Sequence, residues 1–274
     1  MDARAQLSDA AIRIAGHLSS GRFALARAEL LSALRPAIAR DLIDAELSAL
    51  LGHAAAPTKR APAGELRILN EHRADLRLKV IHPARGHAAN VATLTRNTMI
   101  SNIGSGPALV RRWYQPQPFP NDVFDATKTI EAAPDYTLRT GEALALRAGF
   151  DAYEIVAHER PAIVFVLGGE SALPLAWTYQ RDTRLPIAAQ PIARDWLRVR
   201  ELLAFTEALG DTSLVPAIAE LADHPSHFVR WAAGAAAARL DTAGAPALLR
   251  TLARDPHPQV RLAAQHTLAR SAAR

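Results

Sequence analysis

Four histidines fall in or beside one stretch of the chain, His72, His82, His87 and His158. Imidazole beside carboxylate can hold a transition-metal ion or move a proton near neutral pH. His82 and His87 stand five apart across Pro83-Ala84-Arg85-Gly86, a turn that could bring them together, and His158 with Glu154 or Glu159 could complete a set. Yet no His-x-His, His-x-Asp or His-x-Glu occurs, so the tight strand pair that usually supplies two ligands is absent, and a surface or turn histidine is the plainer reading of each. With no cysteine, thiolate sites, disulfides and cysteine nucleophiles are excluded.

Other reactive patterns carry less. Gly104-Ser105-Gly106-Pro107 lacks the lysine of a phosphate loop and reads as a hairpin turn, and neither Ser101 nor Ser105 has a Gly-x-Ser-x-Gly elbow. Arg111-Arg112-Trp113-Tyr114 sets cations beside aromatics, but alternation along a strand sends neighbours to opposite faces, half to core and half to rim. Trp177 and Tyr179 are two apart and share a face, either as core or as an aromatic wall to a pocket.

The elements that would position these groups fall into modules. Apolar residues recur at helical spacing over 5–19, 22–34 and 36–53, and a Pro-containing linker over 54–64 follows this 1–53 helical segment. From 65 to 193 the period becomes two. Short strands are expected near 66–70, 76–82, 90–95, 98–103, 108–115, 127–132, 136–139, 142–147, 152–157, 162–168 and 174–180. No helix-length pattern interrupts them, so the sheet must be antiparallel, as a sandwich or jelly roll.

This stretch resembles the cupin family. Gly86 and Gly106 stand at the separation of the family's first motif and Gly141 and Gly149 at that of its second, with Arg147 where a proline belongs. The resemblance places the family's four metal ligands on Ala92, Leu94, Met99 and Ala152. None can bind a metal, so the resemblance implies a barrel without an ion whose apolar interior, with Trp113, Trp177 and Tyr179, binds a ligand. The alternative is an iron site displaced to His82, His87 and His158.

Residues 194–274 return to helical period and repeat themselves at an offset of 31: Leu221-Ala222-Asp223-His224-Pro225, then Val229-Arg230, matches Leu252-Ala253-Arg254-Asp255-Pro256, then Val260-Arg261. This resembles the HEAT-like repeats, in which the arginine pairs with an acid of an adjacent turn, here Asp223 or Asp255.

Net charge is +5 with a pI near 10.0, but it divides as 8 Lys+Arg against 6 Asp+Glu over 1–63, 14 against 13 over 64–193, and 10 against 8 over 194–274. Charge spread so evenly gives no basic face and argues against nucleic acid. With no apolar run long enough for a bilayer and no export signal, a soluble cytoplasmic protein is expected. The expected fold class is α+β multidomain: an antiparallel cupin-like jelly roll flanked by N-terminal helices and a HEAT-like tail. The expected function is non-enzymatic, a small molecule or peptide bound in the barrel without cofactor and a protein partner on the repeats, with a cupin-type non-haem iron oxygenase or isomerase as the alternative.

Overall fold

A computed structural model describes residues 3–34, 36–51, 64–70, 73–83, 88–116, 122–157, 159–192, 194–240 and 244–272. The chain divides into two compact units, Met1–Gln190 and Pro191–Arg274.

The first unit opens with helices α1 (Ala3–Ser19), α2 (Phe23–Ala33) and α3 (Pro36–Leu51). Their sequences bury one stripe: Leu7, Ala10, Ala11, Ile14, Ala15 and Leu18 of α1 follow helical spacing, as do Ala26 and Leu30 of α2. Strands β1 (Glu65–Asn70), β2 (Asp75–Ile81), β3 (Asn90–Ala92), β4 (Arg96–Asn102), β5 (Ala108–Tyr114), β6 (Glu131–Leu138), β7 (Ala143–Leu146), β8 (Asp151–Ala157), β9 (Ala162–Ser171), β10 (Leu175–Gln180) and β11 (Pro186–Pro191) follow. Two stretches differ from the sequence expectation. Residues 127–130 of the run expected near 127–132 form no strand, and its end joins the run near 136–139 in the single strand β6, which accommodates Pro134 where its register against β5 shifts. A bulge on a strand at the end of its sheet is where a residue without an N–H is tolerated. The terminal strand β11 carries a proline at each end, which masks its period of two in the sequence.

The strand order decides the fold. One sheet runs β1-β2-β9-β4-β7; the other runs β11-β10-β3 and β6-β5-β8, joined where Thr93 pairs with Ala152 and Leu94 N–H donates to Asp151 O at 3.0 Å. Between β2 and β9 the chain crosses from sheet to sheet at every connection but β5–β6, so β2, β9, β4, β7 oppose β3, β8, β5, β6. That winding is an antiparallel jelly roll, the architecture of a cupin-like barrel. Alternation then fixes two cores. Leu76, Leu78, Met99, Phe165 and Leu167 face outward and share a cluster with α1 and α2, whereas Ile100, Val164, Val166, Val110, Leu138 and Ala157 face inward and fill the barrel. The N-terminal helices are thus a layer over the first sheet, tied by Asn97 Nδ2 donating to Leu18 O at 2.8 Å and by Glu170 N–H donating to Ser19 Oγ at 2.9 Å.

The second unit contains α4 (Arg194–Leu209), α5 (Val215–Glu220), α6 (His227–Leu240), α7 (Ala245–Leu252) and α8 (Pro258–Ala272). Small residues Ala233, Ala236, Ala237 and Ala264 let the helices approach, and Leu203, Ile218, Leu248, Leu249, Leu252 and Val260 fill the space between them. The repeat read at offset 31 is also a repeat of hydrogen bonds. Arg230 Nη1 donates to His224 O and Pro225 O at 2.9 and 3.1 Å, and Arg261 Nη1 to Asp255 O and Pro256 O at 2.7 and 3.3 Å. Among the described residues no helix is long and apolar enough to cross a membrane.

Candidate ligand site in the barrel

The alternating pattern of β2 sends Leu76 and Leu78 out to the helices and Asp75, Arg77 and Lys79 to the opposite face. A charged strand face turned away from the helices must find partners. Arg77 Nε donates to both Asp75 oxygens, at 3.1 and 2.9 Å, and its Nη2 also donates to Asp75. Glu65 on β1 adds a 2.8 Å ion pair to Lys79 and lies 3.7 Å from Arg77. The hydrogen bond that Arg77 donates to Asp75 raises the Arg77 pKa above its ordinary value, burial opposes this, and the Asp75 and Glu65 charges add to the rise.

Beside this pair lies a cavity of about 170 Å³, lined by Asp75 and Arg77 of β2, Arg96 and Thr98 of β4, Val166 and Gly168 of β9, Tyr153 of β8 and the segment 93–95. Gly168 has a structural reason. A Cβ there would collide with the Cδ of Arg96, whose stem lies across β9. Thr98 Oγ1 donates to Arg96 O at 3.0 Å, and Thr93 Oγ1 accepts from Trp177 N–H at 3.0 Å. Tyr153 comes from the facing sheet. Burial pushes its pKa up to about 12, Arg77 pulls it down, and Asp75 and Glu65 raise it, so the phenol is protonated and a donor near neutral pH.

Of the residues the sequence put forward for ligand binding, Leu94 lines this cavity. Ala92 is exposed on β3. Met99 is fully buried on the helix side of β4, while its neighbour Thr98 faces the cavity. Ala152 lies on the face of β8 opposite Tyr153 and pairs across strands with Trp113. That outer face also holds Trp177 and Tyr179, both fully buried, with ring centroids 6.3 Å apart. Phe124 packs 5.2 Å from Trp177, and Gln115 Nε2 donates to the Tyr179 hydroxyl at 3.1 Å. The pairing register therefore places Trp113, Ala152, Trp177 and Tyr179 on the face of the sheet opposite Tyr153.

The histidine set is not assembled by what is described. His82 is exposed, and His87 and His158 lie outside the described residues. Glu154 is engaged, 3.3 Å from Arg181, 3.7 Å from Arg111 and accepting from Ala88 N–H at 3.1 Å. Among the described residues no three His, Asp or Glu side chains converge on one point. Nor does the cavity fit the divalent ion of the cupin family. Its lining offers one carboxylate, already bound to Arg77, with two guanidinium groups that would repel a cation.

The groups missed in the sequence, Asp75, Arg77, Arg96, Thr98 and Tyr153, had one legible signal. Asp75-Leu76-Arg77-Leu78-Lys79 alternates charge with leucine, and a strand covered on both faces must turn those charges somewhere enclosed.

Residues 194–269 match the family model of HEAT repeats. No curated protein matches the chain. Solved structures similar to it include a hydroquinone 1,2-dioxygenase in complex with Cd2+ and 4-hydroxybenzonitrile, at 15% identity over 42% of this chain and 69% of that one, TM-score 0.30. A cupin domain from Bordetella pertussis Tohama I is 12% identical over 42% and 99%, TM-score 0.28. A cupin family protein with a double-stranded β-helix fold from Methanocaldococcus jannaschii is 10% identical over 42% and 88%, TM-score 0.27. The assignment of the barrel rests on its strand order, not on these scores.

Proposed function

We propose that the barrel is a non-catalytic receptor for a small molecule, working without a metal cofactor, and that the HEAT-like helices dock a protein partner. The observation that carries the first half is the lining of the cavity: an ion pair already closed on itself, a phenol held protonated, and guanidinium donors beside Leu94 and Val166. Such a wall can hold and orient an acceptor. It has neither an open carboxylate nor a neutral imidazole, the groups that most often move protons or hold a catalytic metal.

Native mass spectrometry of the protein as purified, paired with elemental analysis, tests this. A small molecule released on denaturation, with metal far below one ion per chain, is the expected result. Stoichiometric iron, manganese or zinc lost when His82, His87 or His158 is changed to alanine would replace it with the oxygenase or isomerase reading.

A further inference from the structure

We infer that the last helical repeat presents a carboxylate seat at Arg261, and that its occupant is an acidic segment of a partner protein. This names the chemistry of the partner in the reading above, and it rests on that reading. The preceding repeat supplies the template. Arg230 ties its Nη1 to two carbonyls of its own turn, His224 O and Pro225 O, and so holds its Nε and Nη2 edge toward the following turn, where both donate to Asp255 at 2.7 Å. Two parallel N–H donors meeting two oxygens is the contact by which arginine selects a carboxylate.

Arg261 is held the same way and its other edge is open. Its Nη1 donates to Asp255 O and Pro256 O, yet among the described residues nothing accepts from its Nε or Nη2. Anchoring at Nη1 orders the guanidinium in advance, so an incoming carboxylate does not have to immobilise a free side chain.

The helix beside this fork does not fit another repeat of the same build. On α6, α7 packs so closely over Gly234 that a Cβ there would collide with Leu252 Cδ1. At offset 31 the same position on α8 is Gln265, an exposed side chain where such packing requires none. The acid must therefore arrive on a segment of another shape.

Charge fixes the sign of that segment. Residues 245–272 hold four arginines against one acid, Asp255, which Arg230 already binds, whereas the matching span 214–241 holds two arginines and three acids. Leu262, the next residue on α8, is 53% exposed and adds an apolar contact that a protein segment can use and a nucleic-acid backbone cannot.

Fluorescence anisotropy with the full chain at low salt near pH 7 tests the seat, using a labelled peptide of repeated Gly-Asp-Leu, the same peptide with Asn for Asp, and a labelled oligothymidylate of equal charge. The Asp peptide is expected to bind, and the other two to bind about tenfold or more weakly, the size of lost charge-assisted hydrogen bonds. Arg261→Lys keeps the charge, loses the fork and is expected to weaken the Asp peptide about tenfold. Arg200→Gln removes an exposed charge from α4 and is expected to change binding by less than about threefold. Equal binding of the Asp and Asn peptides, equal losses in the two variants, tighter binding of the oligothymidylate, or silence of the Asp peptide would each overturn the seat. The partner reading is judged separately, by whether crosslinking in cells joins any protein to α6, α7 or α8, so a partner found there beside a silent peptide sinks the seat alone. The wild-type comparison of the two peptides needs no variant, so a turn loosened by Arg261→Lys cannot hide the answer.

Discussion

At the scale of single residues, the sharpest energetic statement concerns Arg230 and Asp255. Arg230 Nε and Nη2 each donate to one Asp255 oxygen at 2.7 Å, with the two side chains only 11% and 3% exposed. Burial pushes the Asp255 pKa up, but Arg230 and the His257 N–H outweigh it, and the net direction is down. A carboxyl lowered on folding stabilises the fold above its unfolded pKa of about 3.9, and that stabilisation is lost as pH falls through the folded value. Asp255→Asn should therefore cost about 3 kcal/mol in urea unfolding of the helical unit near pH 7, because it leaves a buried guanidinium without its anion. The loss should shrink as pH falls through the folded value of Asp255, below which wild type has shed the same pair. An equal loss above and below that point would mean that packing, not charge, is at stake. That the repeat arginine meets an acid of an adjacent turn was readable in the sequence. Which of Asp223 and Asp255 it meets was not, since each stands within two residues of the turn proline of its own repeat and only the stacking of α6 on α7 and α8 brings one within reach.

At the scale of elements, α1 is held against β9 by an absence of side chain. A Cβ on Gly169 would lie 2.8 Å from Ser19 Oγ and 3.1 Å from Ala15 O, the second a backbone atom that cannot rotate away. Gly169→Val must therefore lift α1 from the sheet, taking Ile14, Ala15 and Leu18 off Leu76, Met99 and Leu167. The expected cost is about 1–3 kcal/mol, the range for overpacking a filled core, read as a lower midpoint in denaturant. Gly16, whose Cβ would meet nothing within 4 Å, is the matched control, and Gly16→Ala should leave the midpoint unchanged or raise it slightly. Parity between the two variants would show that α1 does not press on β9 as described.

At the scale of the whole molecule, each unit has its own core, and the clusters around Leu203, Leu249, Leu252 and Val260 contain no residue of the barrel. A fragment spanning 191–274 is expected to fold alone, with a helical circular dichroism spectrum and one cooperative melt. A fragment with a coil spectrum would show that the repeats need the rest of the chain. The sequence expected the N-terminal helices as a segment of their own, and they do form where helical spacing placed them. Their place over the first sheet was not legible, because an apolar stripe says that a face will be buried and not against what.

Local pattern alone determined the helices, most of the strands and the repeat of 31, since each follows from periodicity and backbone preference within a few residues, whereas the hairpin expected at Gly104-Ser105-Gly106-Pro107 is a crossing between sheets, because β4 and β5 do not pair. Only the tertiary structure decided the site. In a strand a shift of one residue reverses every side chain, so Met99 and Ala152 face outer layers while Thr98 and Tyr153, their neighbours, face the cavity. Asp75, Arg77, Arg96 and Tyr153 come from strands β2, β4 and β8, and only the winding of the jelly roll sets them around one space.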